Sequence, residues 1–439
     1  MNITNFEQVG LDKVGEILSK EQAKNINESD LREILKYSNV SFVLEGINRL
    51  QSTLICELKA SYVQQSQRYV TLKEDNFIIP ELEENDELKA KGLFRQAFEL
   101  YENMSRLKEG EFKGRPKAEN YLYGIPIEDA RYILPLACKT NISVTMNGEK
   151  LIDLFYLIND DRYSEIFGEV KALLLSKLPE RLSCFMDKMK KQYNINFIKD
   201  FYEEYFNKIN ECDNMILLNS FKDLNLKVGL GAITSTHAKT PSEVMENWAE
   251  EADEKAKGVT KRVLGYGHES IAEQARTTFG MMCSMVTYHQ QIRHRLSQNH
   301  REELCGMIKD KGRKAVVPQT IKNSKFYESF VSLVHEFKEF RSYILKKYGE
   351  DKALNFLLNC DQIKLIISTN ARIDSQMLSD RICLNAQWEI RELSTKKLNI
   401  LREMSEVLYV KALPPCVYGK CKEGKFTCGK QLAMKEKFA

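Results

Sequence analysis

No apolar run in this sequence is long enough to cross a bilayer. Its opening residues, "MNITNFEQVG", lack the basic and apolar regions of a secretory leader, so the expectation is a soluble, cytoplasmic protein. Proline (9) and glycine (21) are scarce among 439 residues, which excludes collagen-like and linker-rich chains. Charge of one sign is lacking as well. The net value of +3 gives no bulk field for nucleic acid, so any anion site must be local. The eleven cysteines are odd in number and mostly scattered, which argues against a disulfide framework and for a reducing compartment. What is present, 43% hydrophobic and 29% charged residues, fits a helix-rich globular chain. Its length calls for two or three domains.

The chain repeats itself. Residues 41–69, "SFVLEGINRLQSTLICELKASYVQQSQRY", can be laid on 278–306, "TFGMMCSMVTYHQQIRHRLSQNHREELCG", with Phe42 over Phe279. Further on, 141–158, "NISVTMNGEKLIDLFYLI", lies over 364–382, with Asn147 over Asn370. In each copy a short β-rich run leads into apolar residues at helical spacing: Leu151, Leu154 and Leu157 in one, Ile373, Met377 and Leu378 in the other. The join falls near 185–225, where 187–214 reads as charged helical surface and "MILL" begins at 215. Without a Pro- or Gly-rich linker there, two packed halves are expected.

At 293–295 three basic residues, Arg293, His294 and Arg295, stand side by side. Alone they read as a solvated basic helix end. Upstream, Ser270 and Glu273 have capping-box spacing and predict a helix start. That helix or its successor would run toward the trio with Met281, Met285 and Ile292 buried. Met281, Met282 and Met285 read as core packing.

Gly-His-Glu-Ser at 267–270, Glu273, Phe279, Gln290 and the trio closely resemble the signature region of the flavin-dependent thymidylate synthases, with matching spacing from His268 to Arg293. "NARIDSQMLSDRICLNAQWEI" (370–390) resembles the family's second signature. The likeness covers most of 215–410. The first half is similar through other pieces: "ASYVQQSQRY" (60–69) to the substrate loop that follows the trio, and "EDARYILPLACKTNISVTMN" (128–147) to the Ala-Arg-x-x-Leu-Pro element. Each half has lost what the other keeps. Cys56, Glu57 and Leu58 occupy the trio positions of the first half; Leu31, Lys36 and Ile158 stand for His268, Glu273 and Arg381. In the second half, Glu303, Cys305 and Leu354 replace Ser66, Arg68 and Arg131.

The resemblance implies an α+β fold of two repeated, helix-rich domains, each with a mixed or antiparallel sheet. Residues 1–185 would form a degenerate half carrying the nucleotide loop, 215–410 the half carrying the flavin motif, and 411–439 a Cys/Lys-rich tail. The implied reaction is reductive methylation of dUMP to dTMP, with methylenetetrahydrofolate as one-carbon donor, FAD as hydride carrier and NADPH as reductant. On the same footing His268, Ser270, Glu273, Arg293, His294, Arg295, Asn370, Arg372 and Gln376 would hold flavin. Gln376 stands where family members often have Asn. Gln64, Gln65, Ser66, Gln67, Arg68, Arg131, Gln290, Arg293 and Arg381 would hold the nucleotide, and Arg381 would stabilise negative charge on the uracil ring. Arginine suits both tasks because its fork donates in parallel to phosphate or to a base edge. The family's homotetramer would become a homodimer with two sites.

Other readings stay open at this point. His268 serves equally as a helix-capping histidine. Ser66 reads as a turn hydroxyl, with no base beside it to make it a nucleophile. The basic loop 309–318 reads as exposed surface, or as a steering patch for an anionic substrate. Cys416, Cys421 and Cys428 would hold zinc with a fourth ligand such as Cys305, or remain reduced thiols. Asn385, where the family often has His, and the shortened loop after Arg295 admit a flavin-dependent methylase or hydroxymethylase of another pyrimidine nucleotide. A non-catalytic flavoprotein scaffold left by a degenerate duplication is a third reading, and a zinc-tailed nucleic-acid binder a fourth.

Overall fold

In the computed structural model, the residues described are 1–20, 26–72, 76–114, 116–191, 195–210, 213–310 and 312–438. Residues 192–194 and 211–212 of the expected join, and Lys311 of the basic loop, lie outside them.

The repeat is built into the sheets. Strands β1 (Asn2–Val9), β2 (Asn39–Asn48), β3 (Ser61–Gln64) and β4 (Lys139–Asn147) form one sheet in the order β1-β2-β4-β3. Strands β5 (Met215–Ser220), β6 (Arg276–Ser284), β7 (Gln298–Arg301) and β8 (Gln362–Asn370) form a second in the order β5-β6-β8-β7. Corresponding strands hold corresponding places, and helices account for most of the remaining elements. This is the expected α+β architecture in duplicate.

Local chemistry explains the shared pattern. Val40, Phe42 and Leu44 alternate inward along β2, the period-two burial of a strand. Phe42 and Phe279 are each the fourth residue of their strand and each fully buried. Asn147 and Asn370 end β4 and β8 and cap the helices that follow, Gly148–Ile158 and Ala371–Arg381. Lys150 N donates to Asn147 Oδ1 at 3.0 Å, and Ile373 N to Asn370 Oδ1 at 2.9 Å.

One expectation fails. No capping box forms between Ser270 and Glu273. Ser270 sits inside a short 3-10 turn, Glu269–Gln274, whose N-cap His268 makes no side-chain cap bond. The apolar stretch beyond it is strand β6, and only Met285–Gln291 is helical. The run Thr277–Val286 is β-branched, aromatic and thioether-rich and is almost wholly buried. A buried strand of that kind carries no two-residue alternation to distinguish it from a helix. Met281, Met282 and Met285 are core, as read.

The chain divides into two compact units: Met1–Asn194 with Ser284–Val286 and Glu303–Gln362, and Ile195–Cys283 with Thr287–Glu302 and Ile363–Ala439. In the first unit the helix Glu84–Met104 packs on the helix Tyr327–Tyr348. Phe94 there stacks on Phe337 and tilts against Phe356, centroids 5.9 and 5.5 Å apart. A buried ion pair, Arg341 with Asp361 at 2.5 Å, fixes the end of the segment that precedes β8. That segment pairs with the Arg131 region: Leu136 N donates to Leu357 O at 2.7 Å and Asn359 N to Leu134 O at 2.9 Å. Asn359 Nδ2 also donates to the Arg131 carbonyl at 2.9 Å.

In the second unit a buried lysine, Lys397, pairs with buried Asp374 at 2.6 Å, donates to Thr369 Oγ1 at 3.1 Å and lies over the Phe279 ring. The helix Ile195–Asn207, within the stretch read as charged surface, turns an aromatic side to β7. Tyr202 stacks on His300 with centroids 3.7 Å apart. Gly280 is required there, because a Cβ would sit 2.6 Å from Ile209 Cγ1. Among the described residues, no helix is long and apolar enough to cross a membrane.

Candidate functional site

The first unit gathers the residues read as the nucleotide clasp. β3 ends at Gln64, whose Nε2 donates to Ser52 Oγ at 2.7 Å. Gln65 N then bonds Asn141 O at 3.0 Å, which ties the loop to β4. Ser66 makes the turn: its carbonyl accepts from Tyr69 N and Val70 N, and its hydroxyl accepts from Arg68 N at 3.3 Å. Gln67 is buried, and its Oε1 has no hydrogen-bond partner. Arg68 Nε donates to Glu128 Oε2 at 2.8 Å, while Arg131 Nε donates to the Glu128 carbonyl at 3.2 Å. One residue thus braces both arginines.

The sequence does not single out Glu128, because the arginine its carboxylate accepts from, Arg68, lies 60 residues away in the chain. Two guanidiniums braced on one residue, Arg68 on its carboxylate and Arg131 on its backbone carbonyl, are a donor set that suits a phosphate dianion.

The second unit gathers the flavin motif. Ala371 N donates to Ala275 O at 3.0 Å, joining the two signature segments. Arg372 Nη1 pairs with Glu273 Oε1 at 2.6 Å on the exposed surface. His268, Ser270 and Gln376 are exposed. A cavity of about 500 Å³ opens beside Arg372, walled by Leu264, Ala272, Leu408 and Val410. Asn370 spends its Oδ1 on the helix cap.

The basic trio occupies a turn after Met285–Gln291, not a helix end. His294 N donates to Gln291 O at 3.1 Å, and Ser297 N and Oγ donate to His294 O at 3.0 and 2.7 Å. Arg293 and Arg295 are exposed. His294 is not a third cation. Burial first, then the neighbouring charges of Arg381, Lys397 and Arg293, push its pKa down from 6.5 to about 3. Its neutral Nε2 accepts from Arg381 Nε at 2.6 Å, and Arg381 Nη2 donates to the Gln290 carbonyl at 3.2 Å. The exposed guanidiniums of Arg293 and Arg295 are donors that suit an anionic group.

The tail is different. Cys416 is buried, and Cys421 and Cys428 are half-buried. Their thiol neighbour is Cys383, whose pKa is raised by burial and then, among others, by Cys428 and Cys416. Asn385 Nδ2 bonds Phe426 O at 2.9 Å and holds that loop to the tail. Cys305, the fourth ligand guessed from sequence, belongs to the first unit, where it lies beside Glu350. Among the described residues, no group of three or more His, Cys, Asp or Glu side chains could hold a metal ion.

Comparison with known proteins agrees with this geometry. The family model described as "Thymidylate synthase complementing protein" matches residues 12–171 and again 224–405. A flavin-dependent thymidylate synthase of Geobacter sulfurreducens is 30% identical over 183 residues, covering 40% of this chain and 78% of its own length. The Clostridium tetani enzyme of that name is 29% identical over 218 residues, covering 45% and 86%. That of Thermococcus onnurineus is 33% identical over 175 residues, covering 37% and 71%. Two matched segments, two sheets of one strand order and two equivalent capping asparagines lead to one conclusion: the chain belongs to the thymidylate synthase complementing protein family, the flavin-dependent thymidylate synthases, and carries the family's unit twice.

Proposed function

We propose that the chain catalyses reductive methylation of dUMP to dTMP, using FAD, methylenetetrahydrofolate and NADPH. The observation that carries this reading is the complementarity of two intact clusters. Arg68, Glu128 and Arg131 come from the first copy of the family unit; Gln290, His294 and Arg381 come from the second. The corresponding positions in the opposite copies hold no such set. In a scaffold freed from catalysis, losses would fall at random.

Arg68 and Arg131 would take the nucleotide phosphate, with the Gln64–Arg68 loop setting its depth. Arg381 would face the uracil ring, where a fixed cation stabilises the negative charge that makes carbon 5 nucleophilic. Arg293, Arg295, Arg372 and Asn370 would hold the flavin, with His268, Ser270, Glu273 and Gln376 at its margin. When bound, reduced flavin supplies the hydride. The protein's own work is to bind, orient and polarise. A homodimer with two sites follows from one set of parts per chain. A reducing cytosol suits the ten described cysteines, none of them in a disulfide.

The test is an anaerobic reaction of the purified chain with reduced FAD, methylenetetrahydrofolate and dUMP, followed by the mass of the nucleotide. A gain of one methyl group is expected. Unchanged dUMP refutes the reading, and a methylated or hydroxymethylated product from another pyrimidine nucleotide replaces it.

A further inference from the structure

Arg381 ends the helix Ala371–Arg381, where its long side chain has many rotamers to choose from. Two acceptors restrict it. The Nε–Nη2 edge of its guanidinium meets His294 Nε2 at 2.6 Å and the Gln290 carbonyl at 3.2 Å. Both acceptors come from the segment that carries the basic trio, and both are braced. Gln290 is buried inside the helix Met285–Gln291, and His294 is closed into its turn by Gln291 and Ser297. With one guanidinium edge engaged, the plane of the group and the direction of its Nη1 end are set.

The chemical nature of these acceptors matters more than their number. A carboxylate at the His294 position would orient the guanidinium equally well, but it would cancel most of the field the cation projects. A carbonyl and a neutral imidazole orient it and leave its charge whole. Lys397 and Arg293 lie close enough to oppose protonation of the imidazole, so the ring stays an acceptor beside three cations.

We propose that His294 is a positioning residue for the reaction: a neutral acceptor that aims Arg381 at the substrate ring without diminishing its charge. This goes beyond a flavin contact and rests on the thymidylate reading above. It requires the Nδ1–H tautomer, since Nε2 must present its lone pair to Arg381.

Two substitutions separate orientation from charge. His294→Gln offers a neutral amide oxygen, and His294→Glu a carboxylate of the same reach. With flavin content matched, tritium release from 5-tritiated dUMP should fall only ~3-fold in His294→Gln but ~100-fold in His294→Glu, in kcat and not in KM for dUMP. Equal kcat in the two variants, or losses that track flavin content, overturns the proposal. A second readout needs no turnover. In NMR spectra of the full chain labelled at histidine, His294 should keep the neutral Nδ1–H form from about pH 5 to 8. Titration of that ring near its ordinary midpoint overturns the proposal too. A wild-type chain that releases no tritium but shows the non-titrating ring rejects the thymidylate reading and leaves the positioning geometry standing.

Discussion

At the scale of single residues, the trio shows how adjacency in sequence misleads about charge. Arg293, His294 and Arg295 look like three equivalent cations, yet the middle one is a neutral acceptor turned toward a fourth basic residue 87 positions away. Arg381 stands out in its motif. The acceptor that orients it does not, because imidazole protonation depends on burial and on neighbours that only folding supplies. Replacing Arg381 with Ala should cost roughly 3–4 kcal/mol of transition-state stabilisation, a fall of ~100–1000-fold in kcat. The melting temperature should hardly move, because the side chain is half-buried and lies at a helix end. Steady-state turnover and a thermal melt of the same preparation decide it, and near-normal turnover in folded protein would sink the assignment.

At the scale of elements, the two capping asparagines are a natural pair of controls. Asn147→Ala and Asn370→Ala each remove a side-chain cap and should each cost about 1 kcal/mol of stability. Only the second should also weaken flavin binding, since only the Asn370 helix belongs to the copy that keeps the trio. Denaturation midpoints and FAD titrations check both halves of that statement.

A second element carries a pH dependence. Asp351 lies in the first turn of the short helix Glu350–Leu354, which packs on the helix Ser164–Leu175. Burial first, then repulsion from Glu165 and Glu350, raises its pKa from 3.8 to about 6. Between those values the folded state holds a proton that the unfolded chain has released. Stability contributed by the neutral acid is therefore lost as pH rises toward 6 and stays lost above it. Asp351→Asn should be the more stable protein at pH 8 by about 1 kcal/mol, after allowing for solvent screening, and should converge on wild type near pH 4. Chemical denaturation at the two pH values measures it. A gap that widens on acidification would refute it.

The strands were harder to read than the repeat that contains them. β2 and β4 alternate and announce themselves. β6 is buried on both faces, so its continuous apolar run passed for a helix. Register survived the misreading: Phe42 and Phe279, aligned from sequence, occupy the same place in their strands.

At the scale of the whole molecule, the chain carries two copies of one family unit whose losses are complementary. If each chain supplies one flavin set and one nucleotide clasp, an FAD titration should saturate at about one per chain, and light scattering should give a dimer. Two flavins per chain would mean that the first copy binds cofactor without a trio, which would undo the division of labour. The compact units add a further point. Residues 303–362, counted by sequence with the second copy, make their contacts with the first unit, where Asn359 braces the Arg131 carbonyl.

The sequence by itself determined the duplication and the family. These depend on spacing and residue type, which survive translation into any fold. Only tertiary structure decided which side chains act together: Glu128 beneath two arginines, a neutral His294 behind Arg381, and Cys383 beside the tail thiols. Protonation, orientation and partnership depend on distances between residues far apart in the chain, and those distances exist only once the chain has folded.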